Sequence, residues 1–182
     1  AAKVIENIQR DLNIAIFNEI LMICNKLNIN FSEVVRLAKT KWNFLKFQPG
    51  LVGGHCLPVD PFYLSYIAYK KKFKTITTLA GRKTNDNMEN YIISCFKKFI
   101  NKKKIKKNNY KVLIVGLSYK YGVADMRNSI NLKIYQKIKK IYKNTAAFDP
   151  FVTDKKLNNK NSIKKLESFD VVMFLSKGKI YK

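Results

Sequence analysis

Histidine and cysteine are scarce in this chain, and long apolar runs are missing. The one histidine, His55, has no second imidazole to share a metal with, and no CxxC pair links Cys24, Cys56 and Cys95. A zinc-type site built from those ligands is therefore excluded. Three widely spaced cysteines also make no disulfide scaffold, and they are expected as free thiols in a reduced, cytoplasmic setting. No apolar run approaches the roughly 18–20 residues needed to cross a bilayer. The opening "AAKVIENIQR" carries no apolar signal segment. An initiator Met is absent and Ala1 already stands in a helical pattern, so the chain is expected to be a fragment lacking something upstream.

Acidic residues are few as well: 12 stand against 36 basic ones, giving a formal net charge of +24. Such an excess suggests nucleic acid or an anionic surface as a partner. Yet lysine supplies nearly all of it, spread along the whole chain among many asparagines and isoleucines, the mixture that AT-rich coding sequence produces. The true cluster is "INKKKIKKNN" at 100–109, between two structured segments, where it reads as a solvated linker. Neither a nucleic-acid partner nor a membrane span is expected. An apolar fraction of 47% is ordinary for a globular protein.

Periodicity divides the rest. Residues 1–27 repeat apolar positions near a 3.6 period (Val4, Ile5, Ile8, Leu12, Ala15, Ile16, Ile20, Ile23), and Ile14, Phe17 and Leu21 widen that surface beyond one stripe. A face so broad predicts burial on more than one side, part of it against a second subunit. Asn30 followed by Glu33 predicts a capping box opening a helix to about Lys41. Further helices are predicted over 61–73 and from about Thr75 to Lys103. Beyond the linker, "YKVLIVGLSY" (110–119) reads as a buried parallel strand, 129–143 as an amphipathic helix, and "TAAFDP" (145–150) and "DVVMFLS" (170–176) as two more strands. That alternation belongs to a doubly wound α/β unit, and its last strand lies close enough to the chain end for the unit to read as cut short. The expected organisation is an all-α domain over 1–104 followed by an incomplete α/β domain over 105–182.

Glycine and proline are also sparse, at 7 and 4, yet Gly50, Gly53, Gly54, Pro49, Pro58 and Pro61 all fall within "FQPGLVGGHCLPVDPFYL". Glycines let a backbone approach a ligand closely or take positive φ, and prolines stiffen the loop on either side. Cys56 is thereby held on a rigid support with Asp60 four residues on. A thiol acts as a nucleophile once a base takes its proton, and a carboxylate reaching through one water can serve. The alternative is a small buried thiol in a structural turn.

Residue for residue, "KTKWNFLKFQPGLVGGHCLPVDPFYL" resembles the UDP-glucose/GDP-mannose dehydrogenase family, and within it the branch that oxidises UDP-N-acetylhexosamines. "AAKVIENIQRDLNIAIFNE" is similar to the family's central-domain helix, "AGRKTNDNM" to the segment after the loop, and "VGLSYKYGVADMRNS" to its C-terminal nucleotide-binding domain. The resemblance implies a helical dimerisation domain followed by a Rossmann-like α/β UDP-binding domain. It implies oxidation of a sugar C6 alcohol to a carboxylate with NAD+ as hydride acceptor. Cys56 would capture the aldehyde as a thiohemiacetal and carry the thioester, and Asp60 would activate water. Lys3 and Asn7 match a KxxxN pair that would stabilise a developing oxyanion. Gly53 and Gly54 would lie against sugar or diphosphate with N–H groups as donors, and Phe44, Leu45 and Lys46 would line the mouth of the substrate site. Lys120 and Arg127 would stand near the nucleotide, Arg127 being the one candidate for cofactor contact, with Arg82 a weaker substrate candidate. His55 is assigned loop packing. A homodimer through the first helix is implied.

The GxGxxG fingerprint of an NAD-binding domain is absent, and "VGLSYKYG" has neither that spacing nor an acidic residue about 20 positions on, so NAD+ is expected to bind mainly outside this chain. Two other readings stay open at this point: a basic nucleic-acid-binding module, and a non-catalytic remnant that binds UDP-sugar or dimerises. The first leaves the glycine–cysteine loop without a purpose.

Overall fold

The computed structural model describes residues 1–102, 110–154, 157–158 and 166–176. Most of the lysine cluster at 100–109 lies outside them. The chain divides into two compact units, one of Ala1–Val52 with Cys56–Met88 and one of Gly53–His55 with Glu89–Lys182.

The first unit is helical. Its spine is α1 (Ala2–Leu27), closed by Asn28 in the left-handed conformation at φ 57° while the Ile29 N–H reaches back to the Cys24 carbonyl at 2.8 Å. α2 (Phe31–Ala38) follows, with Asn30 as its N-cap: the side-chain oxygen accepts from the N–H groups of Ser32 at 3.0 Å and Glu33 at 3.3 Å. Only half of the expected box forms, because the Glu33 carboxylate takes the Arg36 guanidinium at 2.9 Å instead of the cap N–H. α2 also stops at Ala38, and the expected last turn to Lys41 loosens into isolated turns. α3 (Asp60–Lys70) starts with an acidic residue and then proline, both suited to the donor-rich end of a helix. The last helix, α4 (Ile76–Lys102), gives its residues up to Met88 to this unit. Ile8, Ala15, Phe17, Cys24, Val52 and Met88 are buried here beside a polar set of Asn7, Asp11, Asn18, Arg82 and Asn85.

The second unit is α/β. Among the described residues three parallel strands run in the order β2-β1-β3, with β1 (Val112–Val115) flanked by β2 (Thr145–Phe148) and β3 (Val171–Phe174). Val112 stands opposite both Thr145 and Val171. All four β1 side chains are fully buried, as a strand covered on both faces requires. α5 (Ile130–Ile141), capped by Ser129, crosses between β1 and β2 and buries Ile134, Tyr135 and Ile138. Tyr142 makes edge-on contacts with Phe96 of α4 and with Tyr110, at centroid distances of 5.6 and 6.0 Å.

β1 is shorter than the predicted 110–119, for a visible reason. Gly116 turns the chain at φ 93°, where a side chain would collide with Ser176. The N–H groups of Leu117 and Ser118 then leave the ladder to donate to the Asp149 carboxylate at 2.8 and 2.9 Å. Asp149 likewise ends β2, where the sequence had extended it to Pro150. The fold class is the expected one: helices first, then a small parallel sheet with a crossover helix.

Candidate active site

Cys56 is a half-buried free thiol in the turn that leads into α3. Its carbonyl accepts from the N–H groups of Val59 at 3.1 Å and Asp60 at 2.8 Å, so the cysteine backbone is fixed to the first turn of that helix. The Asp60 side chain turns towards α1, where the Asn7 amide donates to its carboxylate at 2.6 Å. Three of the expected residues, Cys56, Asp60 and Asn7, are thus brought together by one helix start and one helix face. An asparagine amide has two N–H donors; one of Asn7's is committed to Asp60 rather than directed at an oxyanion. Lys3 lies one turn earlier on α1, on the same face, and is exposed.

Upstream of the thiol, Phe44 is half-buried edge-on against Phe17 at 5.8 Å, while Leu45 and Lys46 are exposed. Gly50 is gripped at both backbone groups by Asn18: its N–H donates to the side-chain oxygen at 2.9 Å, and its carbonyl accepts from the amide nitrogen at 3.0 Å.

Arg82 requires a correction. Its expected role near the substrate is incompatible with where it lies: the side chain is almost completely buried, bonded to Asp11 and Asp86. Burial pushes the Asp11 carboxyl above its ordinary pKa, against the pull of Arg82 and of the Asn85 amide. A guanidinium so enclosed is a core element, not a ligand for a phosphate.

The second unit holds the remaining candidates. Gly54 sits at φ 92° with the Tyr119 ring 2.9 Å from where a Cβ would be, and its N–H donates to the Asn128 carbonyl at 3.3 Å. That donor, expected to serve a ligand, is engaged. His55 does more than pack: its Nε2 lies 3.1 Å from the Asp125 carboxylate, which also takes the Arg127 guanidinium at 2.8 Å. Arg127 holds the Asp125 carboxyl far below the usual carboxylate range. Lys120 is exposed, and its carbonyl accepts from the Ser118 hydroxyl at 3.0 Å. Sequence reasoning missed Asp11, Asn18, Asn85, Asp125 and Asp149. The one signal for the α1 members was polar residues recurring at 7, 11 and 18 in an otherwise apolar face.

These residues offer no cradle for NAD+. The loop after β1 does not open directly into a helix N-terminus, since α5 begins only at Ile130. An acidic residue does end β2, but Asp149 is buried and consumed by Leu117, Ser118 and the Phe151 N–H at 3.0 Å. No carboxylate remains there to meet a ribose.

Comparison with known proteins gives the family. Residues 1–87 match the central domain of the UDP-glucose/GDP-mannose dehydrogenase family, and residues 113–181 its UDP-binding domain. The chain belongs to that family. It is 46% identical over 152 residues to the UDP-N-acetyl-D-glucosamine 6-dehydrogenase of Salmonella typhi, covering 84% of this chain and 36% of that protein. To Protein CapL of Staphylococcus aureus it is 41% identical over 172 residues, covering 94% of this chain and 39% of the relative. Among solved structures, the UDP-N-acetyl-mannosamine dehydrogenase Cap5O of Staphylococcus aureus superposes with a TM-score of 0.80 at 33% identity, over 96% of this chain and 40% of that one. The chain therefore spans under two-fifths of the length of the two curated relatives named. No helix among the described residues is long and apolar enough to cross a membrane.

Proposed function

We propose that this chain is the thiol-bearing and UDP-binding part of an NAD-dependent dehydrogenase that oxidises C6 of a UDP-N-acetylhexosamine to the uronic acid, for surface polysaccharide synthesis. The observation that carries the reading is the Cys56–Asp60–Asn7 arrangement: a free, half-buried cysteine whose backbone is bonded to the helix start that carries Asp60, a carboxylate that a buried amide orients.

The Cys56 thiolate adds to the aldehyde carbon at C6, forming a C–S bond and a thiohemiacetal. At the later thioester, water adds to the same carbon, the C–S bond breaks, and Asp60 takes the water proton. Lys3, whose ammonium shares a helix face with Asn7, offsets charge on the carbonyl oxygen. NAD+ is the acceptor of hydride in this reaction, and no described residue is assigned to hold it. Gly53 and Gly54 lie along the sugar diphosphate, Phe44, Leu45 and Lys46 line the mouth of the site, and Lys120 and Arg127 neutralise the nucleotide. In this reading the division between the thiol-bearing part and the UDP-binding part falls between α4 and β1. Two copies associate through α1, which leaves Ile5, Ile16, Ile23 and Leu27 exposed on one face at helical spacing.

The test is the pairing of alkylation with turnover in the full native polypeptide. UDP-N-acetylglucosamine should protect Cys56, but not exposed Cys95, from iodoacetamide, and Cys56→Ala should lower uronate formation by about a thousandfold or more. Alkylation of Cys56 indifferent to every UDP-sugar would sink the assignment. Protection without oxidation would favour a UDP-sugar-binding remnant.

A further inference from the structure

α1 grips the cysteine loop at both ends. Asn7 takes Asp60, four residues after Cys56, and Asn18 takes both backbone groups of Gly50, six residues before it. Asn7 and Asn18 are eleven residues apart, three helical turns or about 16 Å along one face. Asn18 is completely buried and is the head of a longer chain of bonds. Its amide also donates to the Asn85 side-chain oxygen at 2.8 Å. The Asn85 amide donates to the Asp11 carboxylate at 2.8 Å and to the Asp11 carbonyl at 2.9 Å. Arg82 closes the chain on Asp11 and, at the surface, on Asp86.

We infer that Asn18 is a positioning residue for Cys56, set in place by the buried series Asn85–Asp11–Arg82. An asparagine that satisfies the N–H and the C=O of one residue holds the two peptide groups that flank it, and so fixes the backbone's direction as well as its place, which an apolar contact does not do. Gly50 has no side chain to be held by and nothing within 4 Å of where a Cβ would stand, so no side-chain packing holds it at that point. Without Asn18 the upstream end of the loop loses its anchor at Gly50. The inference rests on Cys56 being the reacting thiol.

The experiment uses the full native polypeptide with Asn18→Ala, Asn85→Ala and the remote core truncation Ile134→Ala. In the folded Asn18→Ala protein, exchange of the Gly50 amide should quicken by about tenfold, and Cys56 alkylation should change by roughly threefold or more. Buried Cys24, on the same helix, should stay unreactive. The kcat should fall about tenfold or more with KM for UDP-sugar little changed. Asn85→Ala should move each readout the same way by less, and Ile134→Ala should lower stability while moving none of them. Unchanged Gly50 exchange and Cys56 reactivity in Asn18→Ala would overturn the inference, and so would Cys24 and Cys56 becoming reactive together. Should Asn18→Ala not fold, the unaltered protein still decides: a Gly50 amide exchanging as fast as an unstructured one removes the anchor. A wild-type protein that oxidises no UDP-sugar defeats the proposed function but leaves the exchange and alkylation results readable on their own.

Discussion

The two units place their buried polar groups differently. The α/β unit lines its central strand and crossover helix with hydrocarbon, Val112 to Val115, Ile134 and Ile138 having no exposed surface at all, and keeps Ser118, Ser129, Asn131, Asp149 and Asn158 buried in the loops after the strands and the start of α5. The helical unit buries Asn7, Asp11, Asn18, Arg82 and Asn85 along and between its helices, an ion pair among them, and leaves Ile5, Ile16, Ile23, Phe62, Tyr66 and Tyr69 in contact with solvent. Apolar packing tolerates small shifts, whereas a bonded polar interior permits one arrangement and is costly when a member is lost. The difference teaches where geometry matters: the polar interior stands behind the thiol loop.

Three changes would break or sharpen that contrast. The largest effect should come from Arg82→Ala, which leaves the buried Asp11 carboxylate without its guanidinium and should cost about 3–5 kcal/mol in chemical unfolding. Replacing Asp11 and Arg82 together by Leu and Met should recover most of that stability while leaving the Cys56 alkylation rate abnormal. Recovery of both would mean that the polar interior is only a filler. Next, Gly54→Ala puts a side chain at φ 92° against the Tyr119 ring and should cost about 1–3 kcal/mol; an unchanged melting temperature would show that the loop readily relaxes there. The smallest effect concerns Asp125, whose carboxyl Arg127 holds low. The pair's contribution to stability is present above the unfolded carboxylate pKa and is lost as pH falls through the depressed folded value. Carboxyl NMR should find Asp125 ionised well below pH 3.9, the ordinary aspartate value, and Arg127→Ala should return its titration to near there.

Much of the fold could be read from the residues, because its signals are local. The period of α1 ends within a residue of Leu27, Asn30 announces α2, and the crowding of glycine and proline marks the thiol loop. What could not be read depends on partners far along the chain. Arg82 looks like any surface cation until Asp11, 71 residues away, encloses it. His55 finds Asp125 across 70 residues. β1 ends early because Asp149, 32 positions beyond Leu117, captures its next amides. In each case the partner lies too far along the chain for a local pattern to reveal it.

The interval between Asn7 and Asn18 makes α1 a ruler. Removing or adding one residue between them would rotate one anchor by about 100° relative to the other, so that a helix of the same composition and nearly the same length could no longer hold Asp60 and Gly50 at once. The spacing of two asparagines, more than their presence, is then the quantity that substitution along this helix has to preserve.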